Sequence, residues 1–302
     1  MLRSWVMRTT VHLIPTEDAG WWLPLFEPGI ERWSRRRMGQ LGVPSAKQDK
    51  ALAVIARALA DEGPLTRSEA RERIRAVGVE PSQTQARSSD VWDSVGTHIS
   101  MTAVVSGIAC LGPDRGKTTC LVRREDWLGK PPPFDRERAL AELARRYIRA
   151  FAPATDRDFA YWSGLPLRDV RAGLESISKE IEEVRIGEET MLAPRDGLPR
   201  LPAAGQVRML GNFDTYLLGW KDRSFSVASE HAIHVKEGGG GWIRPVILED
   251  GIVVGGWRSK RKGERLEITL NLPNAERERL GKKIDAEVAD LARFEGIEAT
   301  IS

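Results

Sequence analysis

The sequence lacks the features that mark several common protein classes. It has no apolar run of the roughly 18 residues needed to cross a bilayer and no basic-then-apolar leader, which argues against a membrane protein and a secreted one. Two cysteines, Cys110 and Cys120, are too few for a disulfide framework. Four scattered histidines without a Cys-x-x-Cys pair give no metal signature. We therefore expect a cytoplasmic protein with no metal and no membrane partner.

The overall composition is that of an ordinary globular protein. With 302 residues, 41% of them hydrophobic and 29% charged, the chain is long enough for two or three domains. The net charge of +3 is mild. Basic residues nevertheless cluster at Arg35–Arg37 and between Arg258 and Arg265. Such clusters are usually solvated faces and less often contacts to a polyanion, so the charge permits a nucleic-acid partner without establishing one.

The stretch Gly107–Gly129 resembles a nucleotide-binding loop at first sight. From Gly112 it reads G-P-D-R-G-K-T, one residue short of the G-x-x-x-x-G-K-[ST] spacing, and the following TCLVR is β-rich where such a loop would open a helix. We interpret the stretch as a basic β-hairpin with Arg115 and Lys117 at its tip. An NTPase is thus disfavoured, and we expect no nucleotide and no other cofactor. The two cysteines flank the turn, where they could face each other. We expect them to be small buried hydrophobic residues.

The order of predicted elements repeats along the chain. Residues 2–14 predict two short strands with Arg8 near the bend. Thr16 is then a candidate N-cap of a helix that Pro24 and Pro28 should keep short or kinked. Helices are predicted over 46–62, 68–77 and roughly 90–105, and the Gly107–Gly129 hairpin follows them. Further helices over 135–150, from about 156 to Trp162 and over 167–180 precede an acidic hairpin over 181–193.

Two capping motifs support this internal repeat. Pro64-Leu65-Thr66-Arg67-Ser68-Glu69 and Pro153-Ala154-Thr155-Asp156-Arg157-Asp158 both read P-x-T-x-x-[E/D], at matching places in matching element orders. Three helices followed by a two-stranded hairpin is the order of the winged-helix fold, in which the third helix enters a DNA groove and the wing contacts phosphates. A repeat that serves only as a helical scaffold is the alternative.

After the linker that begins at Leu198, strand patterns dominate. Strands are predicted over 208–210, 216–220, 242–248, 252–258 and 265–270, with a basic turn over 259–264. Pro273-Asn274 opens a last amphipathic helix that ends near Phe294. These patterns predict an antiparallel sheet, or a partly closed barrel, that is covered by a helix.

With these motifs assembled, the chain resembles the AlkZ/YcaQ-type family of winged-helix DNA glycosylases over nearly its whole length. The matching blocks are MRTTVHLIP from Met7, the hairpin Gly107–Arg124, PATDRDFAYWSGL from Pro153, and FDTYLLGWKDR from Phe213, in which Thr215 departs from the acid usual there. The resemblance implies an α+β fold of tandem winged-helix units in an open C-shape, a β-rich C-terminal domain and binding to double-stranded DNA. It also implies excision of bulky alkylated purines, cross-links included, without flipping the base into a deep pocket.

The resemblance also predicts domain boundaries. Residues 1–45 would be the remnant of a first winged-helix unit, 46–130 a second unit, 131–197 a third and 198–302 the β-rich domain. The family's catalytic Gln-apolar-Gln or Gln-apolar-Asp motif precedes the strand that matches Leu2–Met7, so we expect it to be absent from this chain. Gln83-Thr84-Gln85 has a polar centre and is interpreted as a coincidental loop. Asp214 and Asp222 are interpreted as turn or hydrogen-bonding residues and not as a catalytic pair.

No catalytic residue is assigned, and two functions stay open. One is a DNA-repair protein of the glycosylase type, truncated or catalytically degenerate. The other is a non-enzymatic DNA-binding module such as a transcriptional regulator, which would normally be a symmetric dimer, whereas this chain carries its units in tandem and is expected to be a monomer. Either function predicts salt-sensitive binding to duplex DNA through basic residues in three places: Arg8, His12, Arg115, Lys117, Arg258, Lys260, Arg261 and Lys262.

Overall fold

The structure is a computed structural model that describes residues 1–79, 89–200, 202–237 and 242–301. The chain forms two compact units. The first contains Met1–Arg146 and Ser163–Ile177, and the second contains Tyr147–Trp162 and the chain from Ser178 onward. Both helices and strands are abundant, as predicted for the α+β class. No helix within the described ranges is long and apolar enough to cross a bilayer.

The chain up to residue 176 is mainly helical, and its predicted helices and hairpins are present. The elements are, in order, β1 (Leu2–Val6), β2 (Thr10–Ile14), α1 (Ala19–Gln40), α2 (Ser45–Asp61), β3 (Leu65–Thr66), α3 (Arg67–Ala76), α4 (Ser89–Val105), β4 (Ala109–Arg115), β5 (Thr118–Arg123), α5 (Arg124–Leu128), α6 (Arg136–Phe151), α7 (Asp156–Ser163) and α8 (Leu167–Ser176).

Helix α1 differs from its prediction. Thr16 is not its N-cap, because a short 3-10 helix, Thr16–Asp18, precedes it and α1 begins only at Ala19. Pro24 and Pro28 lie inside α1, which still runs for 22 residues. An interior proline costs roughly 3 kcal/mol. For two prolines this is roughly 6 kcal/mol. It is outweighed by the burial of five large apolar side chains of α1, each worth about 1.5–3 kcal/mol: Leu23, Leu25, Phe26, Ile30 and Met38.

A five-stranded sheet in the order β2-β1-β4-β5-β3 packs against α1 and α4 in the first unit. The β1–β2 hairpin joins it because Arg3 of β1 pairs with Leu111 of β4. The hairpins over Leu2–Ile14 and Gly107–Gly129, predicted as wings of successive units, therefore lie in one sheet. The boundaries of the winged-helix units remain a prediction.

The hairpin interpretation of Gly107–Gly129 is confirmed. Strands β4 and β5 pair in antiparallel register around Gly116, whose φ of 64° is one that glycine adopts without strain. Cys110 and Cys120 are both buried, and they form no disulfide with each other. Cys110 opposes Val122 and not Cys120, and burial raises the pKa of its thiol to about 11, so it stays protonated and inert.

The chain beyond residue 176 is mainly β. Its elements are, in order, β6 (Ile181–Ile186), β7 (Glu189–Pro194), β8 (Val207–Leu210), α9 (Thr215–Leu218), α10 (Ala232–Val235), β9 (Lys236–Glu237), β10 (Trp242–Ile243), β11 (Val246–Glu249), β12 (Ile252–Lys262), β13 (Arg265–Asn271), α11 (Asn274–Glu295) and β14 (Glu298–Ile301). The acidic hairpin β6–β7 is present as predicted. A five-stranded sheet in the order β14-β13-β12-β11-β8 packs one face on α11, through Trp257, Ile268 and Ile284 among others.

Three predictions for this region were wrong. Residues 216–220 do not form a strand, because Asp214 caps the short helix α9, and Leu217 of this helix is buried. The strand predicted over 242–248 is divided into β10 and β11. The sheet is not wholly antiparallel, since β14 pairs in parallel with β13.

The two predicted capping boxes are both formed. In the first, Thr66 Oγ1 accepts from the Glu69 amide (3.2 Å), and Glu69 Oε2 accepts from the Thr66 amide (2.7 Å). In the second, Thr155 Oγ1 accepts from the Asp158 amide (3.1 Å), and Asp158 Oδ2 accepts from the Thr155 amide (2.9 Å). Each pair satisfies two amides at the start of a helix, which have no partner within the helix itself.

Candidate nucleic-acid interface

The turn between β1 and β2 has an unusual backbone conformation. Arg8 (φ 54°) and Thr9 (φ 63°) are consecutive non-glycine residues with left-handed angles. Such angles are costly for a β-branched residue, and they persist only where the surroundings impose them. Gly164 lies directly against the turn, where an added Cβ would stand 3.1 Å from the Arg8 amide nitrogen. The loop before α8 is thus built to let this turn approach closely.

A pocket of about 540 Å³ opens beside the turn, entirely within the first unit. Among the described residues, four arginines line it, together with one carboxylate, Asp169. We call this the arginine pocket, and its cations are Arg8, Arg32, Arg136 and Arg168. Asp169 accepts from Arg136 at 2.8 Å and lies 3.5 Å from Arg168. Among the described lining residues the positive charges outnumber the negative ones, which is suited to a phosphate-rich ligand.

An exposed aromatic ring stands at the same pocket. Trp33 lines it, is 41% exposed and is braced by His98, with 5.1 Å between the ring centroids. A large exposed aromatic side chain beside arginines is a common feature of nucleic-acid-binding surfaces, because bases and sugars offer faces for it to pack on. The pocket therefore offers both charge and a stacking surface.

His12 is close to Arg8 but does not add to this charge. Its Nε2 lies 2.7 Å from Thr10 Oγ1. Burial, and secondly the positive charge of Arg8, lower the pKa of His12 below its ordinary value of 6.5. The imidazole is consequently neutral at physiological pH, and its contribution to a nucleic-acid complex would be a hydrogen bond.

The tip of the β4–β5 hairpin presents one free cation instead of two. Arg115 donates to Glu69 Oε1 (2.8 Å) and to the Pro64 carbonyl (2.9 Å), so its guanidinium is held against the start of α3. Lys117 is exposed and has no hydrogen bond or ion pair within the described ranges. Of the two wing residues predicted to contact DNA, Lys117 is the one free to reach a phosphate.

The basic residues predicted as a turn over 259–264 lie mostly on a strand. Strand β12 extends to Lys262, and the chain reverses at Gly263. Alternation along β12 places Arg258, Lys260 and Lys262 on one face and Arg261 on the other. Arg261 faces the end of α11, 3.6 Å from Glu295, and Lys262 pairs with Glu267 at 2.8 Å. In the described part of the chain, Arg258 and Lys260 carry no such pair.

The remaining candidate residues have structural roles or fall outside the description. Asp214 Oδ1 accepts from the Tyr216 amide (2.9 Å), and Asp222 accepts from the amide and hydroxyl of Ser224 (both 2.9 Å), so both are hydrogen-bonding residues as predicted. Gln83-Thr84-Gln85 lies outside the described residues. No group of three or more potential metal ligands occurs in the part of the chain that was searched, which is the described part.

The sequence did not point to Arg32, Arg136 and Arg168 as partners of Arg8. They belong to the start, middle and end of the first unit and meet only in the folded chain. Arg32 lies just before the Arg35–Arg37 run, but the run itself does not line the pocket, and Arg35 pairs with Glu31 and Asp49. Gly164, within the PATDRDFAYWSGL block, is the kind of residue that could have indicated a close backbone approach, because glycine has no side chain.

Comparison with known proteins adds three findings. A sequence profile of the family described as "DNA glycosylase AlkZ-like" matches residues 1–294. An "Interstrand DNA cross-link repair glycosylase" of Streptomyces sahachiroi is 29% identical to this chain, and the alignment covers 98% of this chain and 80% of that protein. The solved structure of Streptomyces sahachiroi DNA glycosylase AlkZ superposes with a TM-score of 0.74 at 25% identity, over 100% of this chain and 81% of that one.

Proposed function

The chain belongs to the AlkZ-like DNA glycosylase family, and from that membership we propose that it binds duplex DNA and removes alkylated purines from it, interstrand cross-links included. The similar Streptomyces sahachiroi protein carries interstrand cross-link repair in its name, which supports this choice of substrate. The proposal covers the DNA-binding surface, the class of lesion and the reaction.

The observation that carries the proposal is the arginine pocket. A guanidinium offers a planar pair of N–H donors that matches two phosphate oxygens, so converging arginines suit a DNA backbone better than they suit a small neutral ligand. Arg168 is 86% exposed on the side chain and Arg32 is also exposed, so both can reach a ligand without rearrangement of the core. Lys117 and the half-exposed Trp33 extend the same type of surface in this unit.

Release of an N7-alkylated purine, the proposed reaction, requires little acid catalysis by the protein. Alkylation at N7 gives a purine a positive charge, so the base leaves the sugar as a neutral molecule without prior protonation. The protein then has to hold the strand and position a water molecule near the sugar carbon. Cations that bind the phosphates meet the first of these two requirements, which is to hold the strand.

A second function is DNA binding without base release. One feature of the sequence favours it, since the 302 residues contain no Gln-apolar-Gln and no Gln-apolar-Asp, and the nearest motif is Gln83-Thr84-Gln85 with its polar centre. The surface that grips DNA would be the same for both functions. They differ only in whether a base is released.

Duplex binding is tested with the double variant Arg32→Glu/Arg168→Glu, measured by fluorescence anisotropy on a labelled duplex. We expect at least a tenfold loss of affinity at low salt and a salt dependence reduced by about two phosphate contacts. Arg57→Glu, an exposed residue of α2 outside the pocket, is the matched control and should change affinity by less than about threefold. Equal losses for the two variants would contradict the role of the pocket.

Base release is tested separately on duplex DNA containing N7-methylguanine. The full chain is incubated with the duplex, and free base is quantified by chromatography. Release above the spontaneous rate supports the glycosylase, and it should fall in the Arg32→Glu/Arg168→Glu variant. Tight duplex binding without release would establish the second function.

A further inference from the structure

The second unit carries a pocket of its own, which the duplex-binding surface does not use. It has a volume of about 670 Å³ and lies on the face of the β12–β13 ribbon opposite α11. Arg244 and Arg258 line it, and no aspartate or glutamate does so among the described residues. A pocket with two cations and no lining carboxylate is suited to an anion.

A partly exposed aromatic ring lines this pocket. Trp242 is 48% exposed and forms a T-shaped contact with the ring of Phe213, with 4.7 Å between the ring centroids. Phe213 itself has a left-handed backbone (φ 56°), tied by its amide to the Ile243 carbonyl at 3.3 Å. An indole held in a T-shaped contact, with about half of its surface exposed, offers area on which a planar base can stack.

Polar groups that recognise a base or a sugar are present as well. Asn271 lines the pocket, and its Nδ2 lies 3.3 Å from His234 Nδ1. Thr269 stands opposite Arg258 in the strand register. Burial, with secondary contributions from His231 and Arg244, lowers the pKa of His234, which makes it a neutral hydrogen-bonding group at physiological pH.

A glycine keeps the pocket open. Gly256 lies in the interior of β12, where a β-branched residue would be more stable, and an added Cβ there would meet no atom closer than 3.5 Å. The packing therefore does not require glycine at this position. Glycine within a strand often marks a place where a ligand approaches the backbone.

We propose that this pocket binds an unpaired nucleotide of single-stranded DNA, with the base on Trp242 and the adjoining phosphates on Arg244 and Arg258. From Arg258 the same strand face continues to Lys260, which has no ion pair among the described residues and extends the surface available to a nucleic-acid backbone. The inference rests on the proposed function only in taking DNA as the ligand, and it adds a second mode of binding in a different unit.

The test uses the full chain and a fluorescein-labelled eight-residue oligothymidylate, with the labelled duplex measured in parallel. We expect the wild type to bind the single strand and Trp242→Ala to weaken that binding about tenfold. Arg258→Glu should weaken it by a similar factor, and Gly256→Ala should weaken it severalfold by filling the pocket. Arg277→Glu, an exposed cation on α11 at the opposite face, is the matched control and should leave it nearly unchanged.

Circular dichroism and thermal melts establish that each variant folds. Arg258→Glu is expected to fold like the wild type, because the Arg258 side chain is exposed. The proposal is overturned if the wild type does not bind the single strand, or if folded Arg258→Glu and Gly256→Ala both bind it as the wild type does. Failure of the duplex proposal is recognised differently. In that case the single strand is still bound and the duplex is not, or the duplex is bound without any effect of Arg32→Glu/Arg168→Glu.

Discussion

The helices that follow Thr66 and Thr155 begin with the same capping motif but lie in different surroundings. At α3 the second oxygen of Glu69 accepts from Arg115 on the hairpin tip (2.8 Å), and the Glu69 side chain is 34% exposed. At α7 the second oxygen of Asp158 accepts from the Lys221 amide (2.9 Å), and Asp158 is only 6% exposed. One motif thus fastens a charged surface loop in one unit and a part-buried backbone amide in the other.

This difference shows that a capping motif specifies where a helix begins but not how strongly that helix is attached to the rest of the fold. A carboxylate with one free oxygen binds whichever donor the fold brings to it. When the donor is an exposed guanidinium, water and salt compete with the contact. When it is a part-buried amide held by a buried carboxylate such as Asp158, loss of the carboxylate removes a contact that water replaces less readily.

The largest expected effect is that of Asp158→Ala. The substitution removes the cap of α7 and the partner of the Lys221 amide in a buried place, so we expect a loss of about 2–4 kcal/mol in unfolding free energy. Chemical denaturation monitored by circular dichroism measures it. Glu69→Ala is the matched variant and should cost clearly less, because water can replace its contacts. Equal losses of unfolding free energy for the two variants would contradict the difference inferred between the two capping boxes.

Thr66→Ala and Thr155→Ala separate capping from attachment. Both hydroxyls accept one amide at nearly the same distance, 3.2 and 3.1 Å, and Thr155 Oγ1 also donates to Asp158 Oδ2 at 2.6 Å. We therefore expect losses of about 1 kcal/mol for both variants, slightly larger for Thr155→Ala, measured by the same denaturation experiment. A large difference between them would mean that the boxes themselves, and not what the carboxylates hold, are unequal.

The smallest expected effect is electrostatic. Hydrogen bonds from Thr66, and to a lesser degree Arg115, lower the pKa of Glu69 below its ordinary value of 4.5. Arg115→Met should raise this pKa part of the way back, because the Thr66 bonds remain, and NMR titration of the Glu69 carboxyl measures the shift.

The same variant has a defined consequence for pH dependence. A lowered folded-state pKa contributes stability above the unfolded-state pKa, and this stability is lost as the pH falls through the folded-state pKa. In Arg115→Met that loss should be smaller and should be complete at a slightly higher pH than in the wild type, because the folded-state pKa lies closer to the unfolded-state pKa. An unchanged Glu69 titration would show that Arg115 is not held by Glu69 in solution.

Local signals were sufficient for much of the fold. The capping boxes and the hairpin turn at Gly116 each involve a few neighbouring residues, so their geometry follows from the chain itself. The same reasoning failed at Tyr216, because Tyr, Leu and Trp favour strands while Asp214 supplies an N-cap two residues earlier. Burial of Leu217 against Val235 and Ile243 then decided for the helix.

The candidate site was less predictable than the fold. Arg8 was predicted because it lies at a hairpin bend, but the other three arginines of its pocket are distant in sequence and converge through packing. Arg115 looked like a free wing residue, and only the folded chain shows Glu69 within reach of it. Charge patterns indicate which residues are basic, whereas the fold decides which of them still lack a partner.

The pairing of β1 with β4 constrains the order in which the first unit can form during synthesis. Arg3 donates to the Gly112 carbonyl at 2.6 Å, a contact between residues 109 apart in the chain. Until β4 leaves the ribosome, one edge of the β1–β2 hairpin has no strand to pair with and is open to wrong partners. Because the unit also needs Ser163–Ile177, its helices can form early but its closure must wait, and long-range closure of this kind is slow.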